Sequence, residues 1–202
     1  MASIREARQL VVGLGNPGPE YARTRHNVGF AVVERLAAEA GARFSVRRFE
    51  AEATTVEMAG NLIALLKPQT LMNRSGLAVA GWLEALQFPA SQMIVVHDDL
   101  DLPLGRLRVV GSAGSGGHRG VASIQEALAT QAFPRVRMGI GRPREGEDAV
   151  ERVLEEFAPE EIPVAEEMVG RAALAVQTLI ASGLAAAMDR YNVRAPMTEA
   201  SP

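Results

Sequence analysis

The sequence predicts an α/β fold: one domain in which a twisted mixed β-sheet is flanked by helices in three layers. Three observations carry this. Short apolar runs recur at 10–14, 62–66, 93–97 and 136–140, each bounded by Gly, Pro or polar residues. Between them lie stretches whose apolar residues repeat at helical spacing. The length of 202 residues suits one domain, and no repeat, long linker or compositional boundary divides it. The domain is expected to span 1–193, with a loose tail at 194–202 that carries Pro196 and Pro202.

The elements follow in order. Residues 10–14 read as a buried strand that ends in the turn Gly13-Leu14-Gly15-Asn16-Pro17-Gly18. Val28, Val32, Val33, Leu36, Ala37 and Ala40 mark a helix, and Gly41 stops it. Residues 43–48 and 51–58 read as short strands, and Gly60-Asn61 turns the chain into the strand 62–66. Asn73 or Ser75 would cap a helix through Val79, Leu83 and Leu86. The strand 93–97 delivers Asp98-Asp99-Leu100-Asp101, and another strand covers 106–110. With four glycines, 111–117 reads as a mobile loop, leading into a helix through Val121, Ile124 and Leu128. After the strand 136–140, helices are expected at 150–157 and 162–182.

Composition narrows the class. Apolar residues make up 48% and charged residues 22%, as in globular proteins. No uninterrupted apolar run approaches the roughly 18 residues of a membrane span, and no apolar leader is visible, so a cytoplasmic protein is the expectation. Cysteine is absent, which excludes disulfides and thiolate metal sites. A net charge of −3 argues against a general nucleic-acid binder. The charge is uneven, however: residues 100–145 hold seven Arg against three acids, and residues 146–202 hold eleven acids against four Arg. The arginine-rich middle could meet phosphate, although Lys67 is the only lysine and the excess of Arg could be compositional.

In open α/β sheets, ligands gather outside the carboxyl ends of strands. Polar residues fall there: Asn16 after the first strand, Asn73 after 62–66, Asp98 after 93–97, and the glycine loop after 106–110. Gly13, Gly15 and Gly18 match the spacing of a dinucleotide turn, but Pro17, Pro19 and a polar loop precede the helix that would have to open at once. A turn that aims Asn16 inward fits better. His26 stands at a loop-to-helix junction, where a carboxylate such as Asp98 could fix its tautomer and let it take a proton from water. A metal site is the rival use of His26, His97 and His118, but they lack a ligand-type spacing. His97, next to Asp98 on a strand, should face the other way. Asn16 and Asn73 could hold a carbonyl and an oxyanion, or could serve as a turn and a cap residue. The loop amides and Arg119 could receive phosphate.

Together these stretches resemble the bacterial-type peptidyl-tRNA hydrolase family. The matching segments are 12–18 with Tyr21, 24–30 (Thr-Arg-His-Asn-Val-Gly-Phe), 67–76 (Lys-Pro-Gln-Thr-Leu-Met-Asn-Arg-Ser-Gly), 97–103 (His-Asp-Asp-Leu-Asp-Leu-Pro), 116–120 (Gly-Gly-His-Arg-Gly) and 135–143 (Arg-Val-Arg-Met-Gly-Ile-Gly-Arg-Pro). The resemblance implies a hydrolase that cleaves the ester between a peptide and the 3′-terminal ribose of tRNA, thereby recycling tRNA from dropped peptides. It implies that His26 activates water and that Asp98 holds and polarises His26. It also implies that Asn16 meets the peptide and that Asn73 binds near the ester. Tyr21, Asn27, Leu71, Met72, Gly117, Arg119 and Arg137 would line the substrate and tRNA groove. No cofactor, metal, membrane or obligate protein partner is implied, and a monomer is expected.

Two departures stand out. Arg119 occupies the place of the family's usual Asn, leaving phosphate or the terminal ribose as its partner. Val110 occupies the place of a frequent Lys, with Arg108 two residues earlier as a possible substitute. These departures keep a second reading open, an RNA-binding protein of this fold that does not hydrolyse. Tight NAD binding would point to a third, a nucleotide-dependent oxidoreductase.

Overall fold

The computed structural model describes residues 4–143 and 146–192. The strands are β1 (Gln9–Gly13), β2 (Val46–Arg48), β3 (Ala51–Met58), β4 (Asn61–Pro68), β5 (Met93–Asp99), β6 (Leu107–Val110) and β7 (Arg135–Gly139). The helices are α1 (Val28–Glu39), α2 (Ser75–Leu86), α3 (Arg119–Leu128), α4 (Ala149–Leu154) and α5 (Ile162–Tyr191). The strands form one sheet in the order β2-β3-β4-β1-β5-β7-β6. Its centre is parallel, β4-β1-β5-β7, while β2, β3 and β6 run antiparallel to their neighbours.

Alternation along the strands builds two cores. Val11, Ile63, Leu65, Ile94 and Val96 face α1 and α5. Leu10, Val12, Ala64, Leu66 and Val95 face α2 and α3. The first glycine of the opening turn serves packing. A Cβ on Gly13 would lie 2.2 Å from the carbonyl oxygen of Gly29, and one on Gly29 would lie 2.5 Å from the backbone of Leu14 and Val96. Two facing glycines let α1 press onto the end of β1. A short 3-10 turn, Pro19–Tyr21, follows Gly18 where a dinucleotide site needs a helix.

Several expectations are corrected. The hairpin turn lies one residue earlier than expected, at Ala59 and Gly60, both with positive φ. Neither Asn73 nor Ser75 caps α2. Asn73 lies in the 3-10 turn Met72–Arg74, and the Ser75 hydroxyl donates back to the Met72 carbonyl at 2.8 Å. The glycine loop does not start at the carboxyl end of the parallel strands. Because β6 is antiparallel to β7, Val110 pairs with Arg135 at the start of β7, so the loop leaves from the opposite end and runs back toward the site. Helix α4 stops at Leu154, short of the expected 157. Helix α5 runs on past 182 to Tyr191, with a break at Gly183, where φ is 81°.

By length and composition α5 could cross a membrane. Here it buries Met168, Ala172 and Val176 against the sheet. Beyond it, the Asn192 side chain accepts from the Val109 amide at 2.7 Å and donates to the Val109 carbonyl at 2.9 Å, covering the edge of β6. The tail expected at 194–202 lies outside the described residues.

Candidate active site

A cavity of about 480 Å³ opens over the carboxyl ends of β1, β4 and β5. Its floor is a hydrogen-bonded set of imidazole and carboxylate groups. Asp98, 2% exposed near the end of β5, has its Oδ1 2.8 Å from His26 Nδ1 and 2.9 Å from His118 Nε2. Each ring must donate, because a carboxylate oxygen only accepts. The tautomer of His118 is fixed independently. It is the N-cap of α3, and its Nδ1 accepts from the Gly120 and Val121 amides at 3.1 and 3.2 Å. Its proton therefore sits on Nε2, aimed at Asp98. His26 likewise carries its proton on Nδ1, which leaves Nε2 as the basic nitrogen, with no hydrogen-bond partner among the described residues.

Burial by itself would favour a neutral Asp98. Attraction to His26 and then to His118, with the hydrogen bonds from both rings, outweighs it and holds the carboxyl well below the usual carboxylate range. The ligand-type nitrogens and oxygens of His26, Asp98 and His118 lie within 4.8 Å of one another, close enough for a metal ion. The cap argues against that use. Metal ligation at His118 Nε2 would move its proton to Nδ1, against two amide N–H groups that already point there.

His97 does not leave the site as strand alternation predicts. It lines the cavity, and its ring packs edge-on against His118 at 4.7 Å between centroids. The reason is that His118 lies across the end of β5 and meets both residues. His97 Nδ1 donates to the Asp98 carbonyl at 2.7 Å, while its Nε2 is buried without a partner among the described residues. Burial above all holds His97 well below the usual imidazole range, so it is neutral.

Two asparagines face this floor. Asn16 Oδ1 accepts from the Met72 amide at 2.8 Å, tying the loop after β1 to the loop after β4 and leaving the amide NH2 for the cavity. Asn73 is exposed on the cavity wall and has no hydrogen-bond partner among the described residues. Asn27, expected in the groove, is used elsewhere. Its Oδ1 accepts from the Asn16 amide at 2.8 Å and its Nδ2 donates to the Asn16 carbonyl at 2.9 Å, so it braces Asn16 from behind. The other expected residues, Tyr21, Leu71, Met72, Gly117, Arg119 and Arg137, all line the cavity. Arg119, in the first turn of α3, is exposed and without a partner among the described residues. Arg137 Nε is paired with Asp99, and Arg108 stands opposite Arg137 in register.

Two residues of the site have roles that the sequence did not give them. One is His118, the second donor to Asp98. Its signal was its position just before a helical pattern, where a side-chain acceptor is wanted. The other is Arg135, which is 1% exposed and donates to the carbonyls of Gly114, at 3.0 Å, and Ala113. Gln125 also donates to the Ala113 carbonyl, at 2.8 Å. The glycine loop is thus pinned from below, not free. Burial, and next the charge of Arg137, push the Arg135 pKa down to about 10, which leaves it charged at neutral pH.

The family model described as Peptidyl-tRNA hydrolase matches residues 10–200. A peptidyl-tRNA hydrolase of Synechococcus sp. (strain JA-3-3Ab) is 46% identical over 187 residues, covering 92% of this chain and 83% of that protein. One of Chloroflexus aggregans is 47% identical over 184 residues, covering 91% of this chain and 98% of its own. The crystal structure of peptidyl-tRNA hydrolase from Acinetobacter baumannii superposes with a TM-score of 0.87 at 33% identity, covering 97% of this chain and 100% of that one. With its histidine-flanked carboxylate, its sheet order and these matches, the chain belongs to the peptidyl-tRNA hydrolase family.

Proposed function

We propose that the chain hydrolyses the ester that joins a peptide to the 3′-terminal ribose of tRNA, releasing free peptide and free tRNA. The observation that carries this reading is the shared Asp98 Oδ1, which fixes both rings and, with His118 Nδ1 taken by two amides, leaves His26 Nε2 as the unprotonated ring nitrogen of the pair without a partner among the described residues. His26 Nε2 takes a proton from water as the water oxygen attacks the ester carbonyl. Asp98 stabilises the imidazolium that forms. The carbonyl oxygen gains charge in the tetrahedral intermediate, and the amide groups of Asn73 and Asn16, both in the cavity lining, are its donors in this reading. Collapse breaks the bond to the ribose oxygen, which takes the proton back from His26, and the peptide leaves as a carboxylic acid that ionises.

Asn16 also meets the peptide part, and Tyr21, Leu71, Met72 and Gly117 line its path. Arg119 and Arg137 are the cations for the phosphates of the acceptor end, which accommodates an acidic chain on a polyanion through a local patch. The whole reaction uses side chains and water, with no cofactor in any step. The working unit is one domain spanning 1–193, active as a monomer in the cytoplasm.

The test is release of N-acetylated amino acid from N-acetyl-aminoacyl-tRNA, compared with free aminoacyl-tRNA, with and without EDTA. Wild type should cleave the blocked substrate selectively, with or without chelator. His26→Ala should lower turnover by roughly 10²-fold or more with substrate binding retained. Near-normal turnover of that variant would sink the assignment of the base. Binding without cleavage by wild type would favour the non-hydrolytic RNA-binding reading.

A further inference from the structure

One wall of the cavity differs from the rest. It is made by α4, whose Val150 and Leu154 line the cavity while 44% and 39% exposed, near Leu71 at 55%. Apolar side chains left open at a cavity are suited to an apolar group of the ligand. A helix of six residues does not hold itself in place, so something must fix it.

Arg25, the residue before His26, does so. It is 2% exposed, and its guanidinium Nη2 pairs with Glu161. Its ring partner is Phe157, with the guanidinium carbon 4.6 Å from the centroid. Its backbone amide donates to the Glu155 carbonyl at 2.9 Å, beside a β-bridge between Thr24 and Glu156. Glu161 also accepts from the Ala158 amide at 2.8 Å and lies 3.6 Å from Arg152, which pairs in turn with Glu155 at 3.1 Å. Apart from its carbonyl, which accepts from the Val28 amide, the polar and ring contacts of Arg25 fall on 155–161, the segment directly after α4. Among the described residues, Nε and Nη1 of Arg25 are buried without a partner, so Glu161 is the single anion there compensating a desolvated cation. Packing alone would be served by an apolar residue; a buried charge with one partner makes a contact that can be made or broken as a unit.

We propose that Arg25 and Glu161 form a latch that holds α4 as the apolar wall of the cavity, and that the latch thereby sets how strongly the enzyme favours substrates whose esterified amino acid carries a large apolar side chain. The inference rests on the hydrolase reading for its substrate. The latch acts on the wall and not on the proton transfer, because neither residue touches Asp98 or the ring of His26. Arg25 and Glu161 are positioning residues.

The test uses the full chain with Glu161→Gln, which keeps size and an acceptor oxygen but removes the charge, and with Arg25→Lys, which keeps the charge. Steady-state kinetics are measured on N-acetyl-leucyl-tRNA and N-acetyl-glycyl-tRNA. In Glu161→Gln, KM for the leucyl substrate should rise about 5- to 10-fold, with kcat within about twofold and the glycyl KM little changed; Arg25→Lys should lie between. Equal changes for both substrates, or none for either, overturn the proposal. Amide hydrogen exchange over 149–154 reads the latch without any substrate. It should quicken in Glu161→Gln relative to α3, and unchanged exchange also overturns the proposal. Wild-type failure to cleave either substrate would instead strike the hydrolase reading, while the exchange data would still judge the latch.

Discussion

The floor of the cavity and its α4 wall are built on opposite principles. On the floor, most polar atoms are held twice. Asp98 Oδ1 receives two rings, His118 receives two amides, Asn16 is braced by Asn27 and by Met72, and the Ala113 carbonyl receives both Arg135 and Gln125. The wall presents apolar side chains to water, and the segment that follows it is anchored by the buried Arg25–Glu161 pair, a backbone hydrogen bond and a ring contact. Chemistry that must place a proton to within a fraction of an ångström calls for over-determined donors and acceptors. A surface that receives many different peptides is better served by apolar contact, which is tolerant of shape. The difference predicts that damage to the floor lowers turnover, while damage to the wall alters selectivity.

The largest expected effect comes from Asp98→Asn. The amide oxygen can still accept from both rings, so orientation is retained and the charge is what is lost. A fall in kcat of about 10²-fold or more is expected on N-acetyl-aminoacyl-tRNA, because the imidazolium is no longer compensated. The same variant carries a pH signature. The folded pKa of Asp98 is depressed, so in wild type its contribution to stability is present above the ordinary carboxylate value of about 3.9 and is lost as pH falls toward the folded value. Thermal melts of Asp98→Asn below about pH 4 should therefore fall less steeply with acid than those of wild type. A turnover near wild type would show that the floor works by geometry alone.

A smaller effect is expected from His118→Asn, which separates the two tasks of this residue. Asn is a good N-cap and keeps an acceptor for the start of α3. It is too short to reach Asp98 as the ring does. The melting temperature should change by only a few degrees, while kcat falls by about 10-fold, since Asp98 and hence His26 lose one constraint. A large loss of stability with unchanged kcat would make His118 a cap residue only, and the floor less redundant than its hydrogen bonds suggest.

How much of this was legible in the sequence follows from the range of each interaction. The strands, the five helices and the positions of His26, Asp98, Asn16 and Asn73 near strand ends are set by local periodicity and by where polar residues interrupt it. Turns misjudged by one residue, as at Ala59, and the overlong helix at 150–157 are boundary effects of a weak local signal. What could not be read are pairings across the chain. The antiparallel sense of β6 decides where the glycine loop starts, and nothing within 106–110 declares it. Asn27 looks like a ligand-facing residue until its partner, eleven residues earlier, is seen to use both of its amide groups. Arg25 and Glu161 lie 136 residues apart, and no pattern in either stretch announces the pair. Arg135 looked like one more arginine of a basic stretch, and only burial shows that it faces the loop carbonyls and not a phosphate.

The smallest effect is expected from Gln125→Ala, and it measures the redundancy itself. Gln125 is one of two donors to the Ala113 carbonyl, so its removal leaves that oxygen still paired with Arg135 and no buried acceptor orphaned. The loss should be at most about 1 kcal/mol, close to the net worth of one hydrogen bond between a side chain and the backbone. The loop carries Gly116 and Gly117 to the cavity, so this should appear as a two- to fivefold rise in KM with kcat unchanged, accompanied by faster amide exchange over 113–117. If neither changes, Arg135 alone fixes the loop and the floor holds a spare constraint at this point. If kcat falls instead of KM rising, motion of the loop reaches Asp98 through His118, whose amide is bonded to the Ser115 carbonyl at 3.1 Å. In that case the loop and the catalytic carboxylate are a single mechanical unit, and the boundary between binding and chemistry on the floor lies at Ser115 and not at Asp98.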